Sequence, residues 1–203
     1  MKNKFTHEQN MLNVEDCVDR SDNELVKLSL ENQKYFYCII SRYEKVILYY
    51  ILRISSFPRE DAEDILQDVF ISVYKNLNEF DNSLKFSSWI YRIAHNKTIS
   101  AWRKIKVRPR AIPTDEEDNL FDFIASGENI VLELENKHTA QELRKSLEKL
   151  DEKYKEVLVL KFLEDKDYKE ISDILKKPLG TIATLINRAK KKLKDEIMKN
   201  EKI

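Results

Sequence analysis

Between Lys85 and Arg110 the sequence carries eight Lys and Arg side chains and no Asp or Glu. Phe86, Trp89, Tyr91 and Trp102 are interleaved with them. Cationic side chains hold phosphates, and aromatic rings stack on unpaired bases. The mixture suits a single nucleic-acid strand better than a duplex groove. At helical spacing, Tyr91, His95, Trp102 and Lys106 share one stripe, with Arg92 and Arg103 beside it. Phe86, Trp89, Ile90, Ile93 and Ala94 form a second stripe that reads as core. The plainer alternative is that Trp102 is core as well.

A second candidate surface lies in "DYKEISDILKKPLGTIATLINRAKKKL". Asp167 and Glu170 have capping-box spacing. Tyr168, Ile171, Ile174 and Leu175 form the buried side of a short helix, and Pro178 fits the start of the next. On that second helix Ile182, Leu185, Ile186, Ala189 and Leu193 fall on one face. Thr181, Thr184, Asn187, Arg188 and Lys191 fall opposite. One packing face and one hydrogen-bonding, basic face is the pattern of a helix-turn-helix that enters the major groove. A solvated basic helix in a helical hairpin has the same pattern.

A third surface follows Pro58, where Glu60 and Asp61 favour a helix start. Ile65, Leu66, Val69, Phe70, Val73 and Leu77 line one side. Asp64, Gln67, Asp68, Ile71 and Lys75 line the other. An apolar Ile71 among polar groups points to a protein contact, against the alternative of one stray exposed Ile.

These faces need helices to position them. Two Gly and four Pro in 203 residues leave long segments without turn signals, so the expected class is all-α. Apolar residues recur at helical spacing from Asp22 to about Ser55, again after Pro58, and from Phe86 to about Lys106. They resume at about Gln141. From Pro113 to Glu135 there are eight acids and no Lys or Arg, although the chain has 36 basic and 36 acidic side chains. We read a loose tail over 1–20, a helical domain over 21–108, an acidic linker over 109–137 and a second helical domain over 138–198, with a helix-turn-helix. Cys17 and Cys38 have no metal-ligand spacing and suit a reducing compartment. The polar N-terminus shows no signal peptide, and the longest apolar run, "VILYYIL", is too short to span a bilayer. The expected location is cytoplasmic, without membrane insertion.

The stretches "EDAEDILQDVFISVYKNL", "FDNSLKFSSWIYRIAHNKTISAWRK", "LEKLDEKYKEVLVLKFLEDKDYKEISDIL" and "PLGTIATLINRAKKKL" together resemble the extracytoplasmic-function group of bacterial sigma factors, regions two and four. The resemblance implies a non-enzymatic factor that binds core RNA polymerase and promoter DNA. An anti-sigma factor is a further candidate partner, and no cofactor or metal is implied. By resemblance, Asp64, Gln67, Asp68 and Ile71 face the polymerase clamp. Asp81, Asn82, Ser83, Lys85, Tyr91, Arg92, His95, Asn96 and Arg103 meet the minus-ten element. The Asp81–Lys85 loop and Asn96 handle an extruded base, the loop offering side chains and free backbone amides. Thr181, Thr184, Asn187, Arg188 and Lys191 read the minus-thirty-five element. The acidic linker threads through polymerase. Apolar Ala183 and Leu185 depart from a family that often places basic groups there. Lys176 and Lys177 stand where a turn glycine is frequent.

Two rival readings carry different expectations. A helix-turn-helix regulator acting without core polymerase leaves the Phe86 block unexplained. A helical metalloenzyme could use the Glu-x-x-His spacing of Glu135 and His138, but needs a second copy and two more carboxylates. No phosphate loop, nucleophile elbow or zinc spacing is present.

Overall fold

The structure is a computed structural model and describes residues 15–107, 143 and 145–200. Among these residues all regular structure is helical, arranged as two helical domains. The first contains α1 (Glu15–Val18), α2 (Asp22–Glu31), α3 (Phe36–Ile54), α4 (Arg59–Lys75) and α5 (Phe86–Val107). The second contains a helical segment over 145–148, then α6 (Glu152–Leu158), α7 (Tyr168–Leu175) and α8 (Leu179–Asn200). The acidic linker, the N-terminal tail up to 14, and Glu135 and His138 lie outside the described residues.

The helix boundaries follow local chemistry. Ser21 caps α2: its hydroxyl accepts from the Glu24 amide, and Glu24 accepts in return from the Ser21 amide. The apolar stretch from Asp22 to Ser55 is broken at Asn32, whose side chain caps a short 3-10 turn over Gln33–Tyr35. Pro58 sits just before α4, with Glu60 and Asp61 in the first turn. In α4 Ala62, Ile65, Leu66, Val69, Phe70 and Val73 are buried, at spacings of three and four that mark one helix face.

The first core centres on Tyr50, Ile47, Ile51, Phe86 and Ile90, all essentially sealed from solvent. Trp89 is buried there too, packed on Phe80 and Phe86. Trp102 is half-buried against the core. The second core is built on Leu160, Ile171, Ile174, Ile182 and Ile186. Tyr168 differs from expectation: it is 38% exposed. As the first residue of α7 it lies beyond the packed turn that buries Ile171 and Ile174.

Cys17 and Cys38, expected as thiols, are joined in a disulfide with Cα atoms 5.3 Å apart. The pairing follows from a fold that lays α1 on α3. Arg42 reinforces this by donating to the carbonyls of Cys17 and Arg20 and to Asp22, which also accepts from the Tyr43 hydroxyl. Closing a loop of 21 residues restricts the unfolded chain by about 3 kcal/mol in the chain-entropy view. No helix among the described residues is long and apolar enough to cross a membrane.

Candidate nucleic-acid interface

The helix-turn-helix is built by two local devices. Asp167 caps α7, accepting from the Glu170 amide at 2.8 Å, while Glu170 accepts from the Asp167 amide at 3.0 Å. At the turn Lys176 adopts a left-handed conformation, φ 52° and ψ 46°. A non-glycine residue there costs about 1–2 kcal/mol. The turn is held by the Lys177 amide donating to the Ser172 carbonyl and the Ser172 hydroxyl donating to the Lys177 carbonyl. Ile182, Ile186 and Ala189 then pack inward, and Leu185 and Leu193 rest half-buried against them. Thr181, Thr184, Asn187, Arg188 and Lys191 are all exposed on the opposite side of α8. Apolar Leu185 is accounted for by packing. The Thr184 hydroxyl donates to the Gly180 carbonyl at 2.9 Å, which leaves it as an acceptor towards any ligand.

The α4 face is equally open. Asp64, Gln67 and Asp68 are exposed, and Ile71 is 51% exposed.

The minus-ten set is divided. Asp81, Asn82, Ser83, Lys85, Asn96 and Arg103 are exposed, and Arg92 is half-buried. The Asp81–Lys85 loop is less open than expected. Asp81 accepts the Ser83 amide on its carboxylate at 2.9 Å and the Leu84 amide on its carbonyl at 3.0 Å. Those two amides are therefore committed, and hydrogen bonds from Ser83 hold the Asp81 carboxyl below its usual pKa. Tyr91 and His95 are buried, 3% and 9% exposed. What buries them is the second domain, because α5 packs against α7 and α3 packs against α6.

That seam is polar at its centre. Glu164 follows a π-helical turn over Val159–Leu163, and Asp165 after it is left-handed, φ 47°. The resulting bend directs the Glu164 carboxylate into the first domain. One oxygen lies 2.6 Å from Arg53 Nη1, and the other accepts from the Tyr91 hydroxyl at 2.6 Å. The Arg53 and Glu164 side chains are only 8% and 4% exposed. Lys166 places its ammonium 4.4 Å from the centre of the Tyr91 ring. Lys85 pairs with Glu170 at 3.3 Å and Asp167 at 3.6 Å. His95 shares a hydrogen bond of 3.1 Å with the Tyr50 hydroxyl, and its Nε2 lies 3.9 Å from Glu156.

Burial sets the protonation of this group. It pushes His95 down to about 4, with the Lys177 charge acting in the same direction. It pushes Glu156 up to about 7, partly offset by Lys177. Burial, with the nearby Glu164 charge, raises the Tyr91 hydroxyl well above its ordinary value. At neutral pH His95 is therefore uncharged and Glu156 is poised between its two forms.

Sequence reasoning did not find Arg53, Glu156 and Glu164. Arg53 ends a run of apolar residues, which is a weak local signal of a buried cation. The two glutamates look like any others in a charged helix.

Known proteins match this geometry in order and extent. The Sigma-70 region 2 family matches residues 39–108, and the Sigma-70, region 4 family matches residues 140–193. The ECF RNA polymerase sigma factor SigW of Bacillus subtilis is 37% identical over 144 residues, covering 68% of this chain and 75% of that protein. The chain belongs to the ECF sigma factors. The ECF RNA polymerase sigma-E factor of Escherichia coli is 28% identical over 173 residues, covering 82% of this chain and 88% of its own. Two solved structures share the fold of this sigma factor. CnrH, in complex with the cytosolic domain of CnrY, has a TM-score of 0.62 at 24% identity, covering 86% of this chain and 95% of that one. The sigma factor RpoE, in complex with the anti-sigma factor NepR from Bartonella quintana, has a TM-score of 0.63 at 18% identity, covering 81% and 98%. As a sigma factor the chain binds core RNA polymerase, recognises promoter DNA and directs transcription initiation. The reading as a regulator independent of polymerase gives way to this membership.

Proposed function

We propose that this sigma factor divides initiation among three surfaces. The α4 face, through Asp64, Gln67, Asp68 and Ile71, docks on polymerase. The α8 face, through Thr181, Thr184, Asn187, Arg188 and Lys191, reads the upstream promoter element. The Asp81–Lys85 loop, with Tyr91, Arg92, His95, Asn96 and Arg103, receives the melted strand. The observation that carries this reading is the separation of two polar, exposed helix faces, each backed by an apolar stripe.

Region two over 21–108 and region four over 138–198 are the working units, and the acidic linker joins them through polymerase channels. The factor acts by binding alone, in the cytoplasm. In that compartment the Cys17–Cys38 pair would meet reducing conditions. An anti-sigma factor is a further partner, which is supported by the RpoE structure having been solved with one.

Co-elution and footprinting test the assignment. Asp64→Arg with Gln67→Arg should keep the helical fold, because both side chains face solvent, and should abolish co-elution with core polymerase. Asn96→Ala should keep co-elution but reduce permanganate reactivity of promoter thymines, and a premelted bubble should restore part of the transcription. Unchanged co-elution would remove the α4 face from the interface. Normal opening by Asn96→Ala would end its strand role.

A further inference from the structure

Three side chains assigned above to the melted strand are engaged by the chain itself. Lys85, Tyr91 and His95 all meet the second domain, and acidic groups meet each of them. Lys85 faces Asp167 and Glu170, Tyr91 donates to Glu164, and His95 lies beside Glu156. Carboxylates stand where phosphates would be held. The Lys166 ammonium covers the Tyr91 ring on which a base would stack.

The contact also has directionality. Both oxygens of Glu164 are used, one by Arg53 from α3 and one by Tyr91 from α5, so a single carboxylate fixes the second domain against two helices of the first. A shift of one helical turn would leave a buried guanidinium without its partner. The upstream-reading face of α8 takes no part in the seam, because all five of its side chains are exposed. The closed chain can therefore present its duplex-reading side while its strand-binding side is occupied.

We propose that the second domain is a built-in competitor of the melted strand, with the acidic turn from Glu164 to Glu170 occupying the strand site and Glu164 acting as the latch. This rests on the assignment of Lys85, Tyr91 and His95 to that strand. Free sigma then captures single-stranded DNA only in its open fraction, and its apparent affinity falls by that fraction.

The test uses the full chain. Arg53→Glu and Glu164→Arg each place like charges at the latch, and the double variant restores an opposite pair. Small-angle scattering reports separation of the domains. Fluorescence anisotropy with a labelled thymine-rich single-stranded oligonucleotide reports strand binding. Each single variant should expand and bind the oligonucleotide about tenfold or more tightly, and the double variant should return to compact and weak. If either reversal unfolds a domain by circular dichroism, the isosteric Glu164→Gln carries the same test.

Expansion without tighter binding would overturn the competition, and an unchanged radius of gyration would overturn the latch. A separate arm measures Tyr91→Ala in holoenzyme on a promoter that requires melting. A defect there, alongside no gain in the free variants, leaves the strand site standing and rejects only the competitor. No defect rejects the strand site itself, and the competitor with it.

Discussion

Two helices of this protein have the same length, 22 residues, and opposite fates. In α8 every side chain assigned to DNA is exposed, and the packing face is a clean apolar stripe. In α5 the assigned side chains are split, with Asn96 and Arg103 exposed and Tyr91 and His95 buried. The difference lies in what each polar face can do without a ligand. The α8 face carries Thr, Asn, Arg and Lys, which water solvates well. The Tyr91–His95 stripe carries rings with polar tips, and such side chains are amphipathic enough to be covered by another domain. A surface proposed to receive bases is therefore also one that the rest of the chain uses.

The largest expected effect would break this contrast at the latch. Glu164→Ala leaves the Arg53 guanidinium and the Tyr91 hydroxyl buried without their carboxylate. Removing one partner of a buried pair costs about 3 kcal/mol or more. The loss is capped here by domain separation, which returns both groups to water. Thermal unfolding should therefore become biphasic, or its midpoint should fall. Thr181→Ala and Lys191→Ala on α8 should shift stability by no more than about 0.5 kcal/mol. Equal effects at the latch and on α8 would erase the distinction.

A second, smaller effect concerns what α8 reads. Asn187→Ala should lower discrimination at one base pair by about 1–3 kcal/mol, because the amide can pair bidentately with adenine. Lys191→Ala should instead weaken all duplexes alike and flatten the salt dependence by about one phosphate contact. Anisotropy titrations over several salt concentrations and duplex sequences separate the two. A uniform loss in Asn187→Ala would make Asn187 a backbone contact.

The third prediction sharpens the contrast through pH. Glu156 has its pKa raised to about 7, so its protonated form favours the closed fold. That contribution is fully present below about 4.5 and lost as pH rises through about 7. His95 is lowered to about 4, so its contribution is present above 6.5 and lost as pH falls through about 4. The two slopes oppose each other, and wild-type stability should be nearly flat between pH 5 and 6.5. Glu156→Gln removes one slope. Relative to wild type it should gain on the order of 2 kcal/mol at pH 8, while its own stability should fall as pH drops below about 6.5, so that the two proteins converge near pH 4.5. Urea melts at several pH values would show this, and parallel curves for the two proteins would rule the pairing out. The smallest effect is at Lys85, whose side chain is 63% exposed. Lys85→Ala should leave the melting of the free protein nearly unchanged, because exposed ion pairs contribute little to stability.

The contrast between α5 and α8 also shows what a sequence can disclose. The α8 faces, the Asp167–Glu170 capping box and the buried stripe of α4 depend on residues within a few turns of each other. Periodicity and capping rules reach that far. The left-handed turn was legible only as a choice between Lys176 and Lys177, because backbone conformation at a non-glycine is set by the helices on either side. The seam was not legible at all. Tyr91 meets Glu164 across 73 residues, and Arg53 meets it across 111. No local pattern marks which glutamate will be buried. The disulfide went unread for a related reason, since the separation of Cys17 and Cys38 says nothing until α1 is laid on α3. The Asp81–Lys85 loop was found, but its free amides were overcounted because Asp81 can satisfy two of them itself.

The turn at Lys176 has one more consequence. By fixing the chain there, it delivers the Lys177 charge to the seam, where that charge favours ionised Glu156 and neutral His95 together. The hinge of the DNA-reading motif is thus wired to two proton-binding sites in the middle of the molecule. Any change in the angle between α7 and α8 moves a cation relative to both. Docking on a duplex that changed this angle would carry a proton count with it. Calorimetry in buffers of different ionisation enthalpy would read that count as a heat that scales with the buffer, and the geometry of a turn becomes a quantity measured in protons.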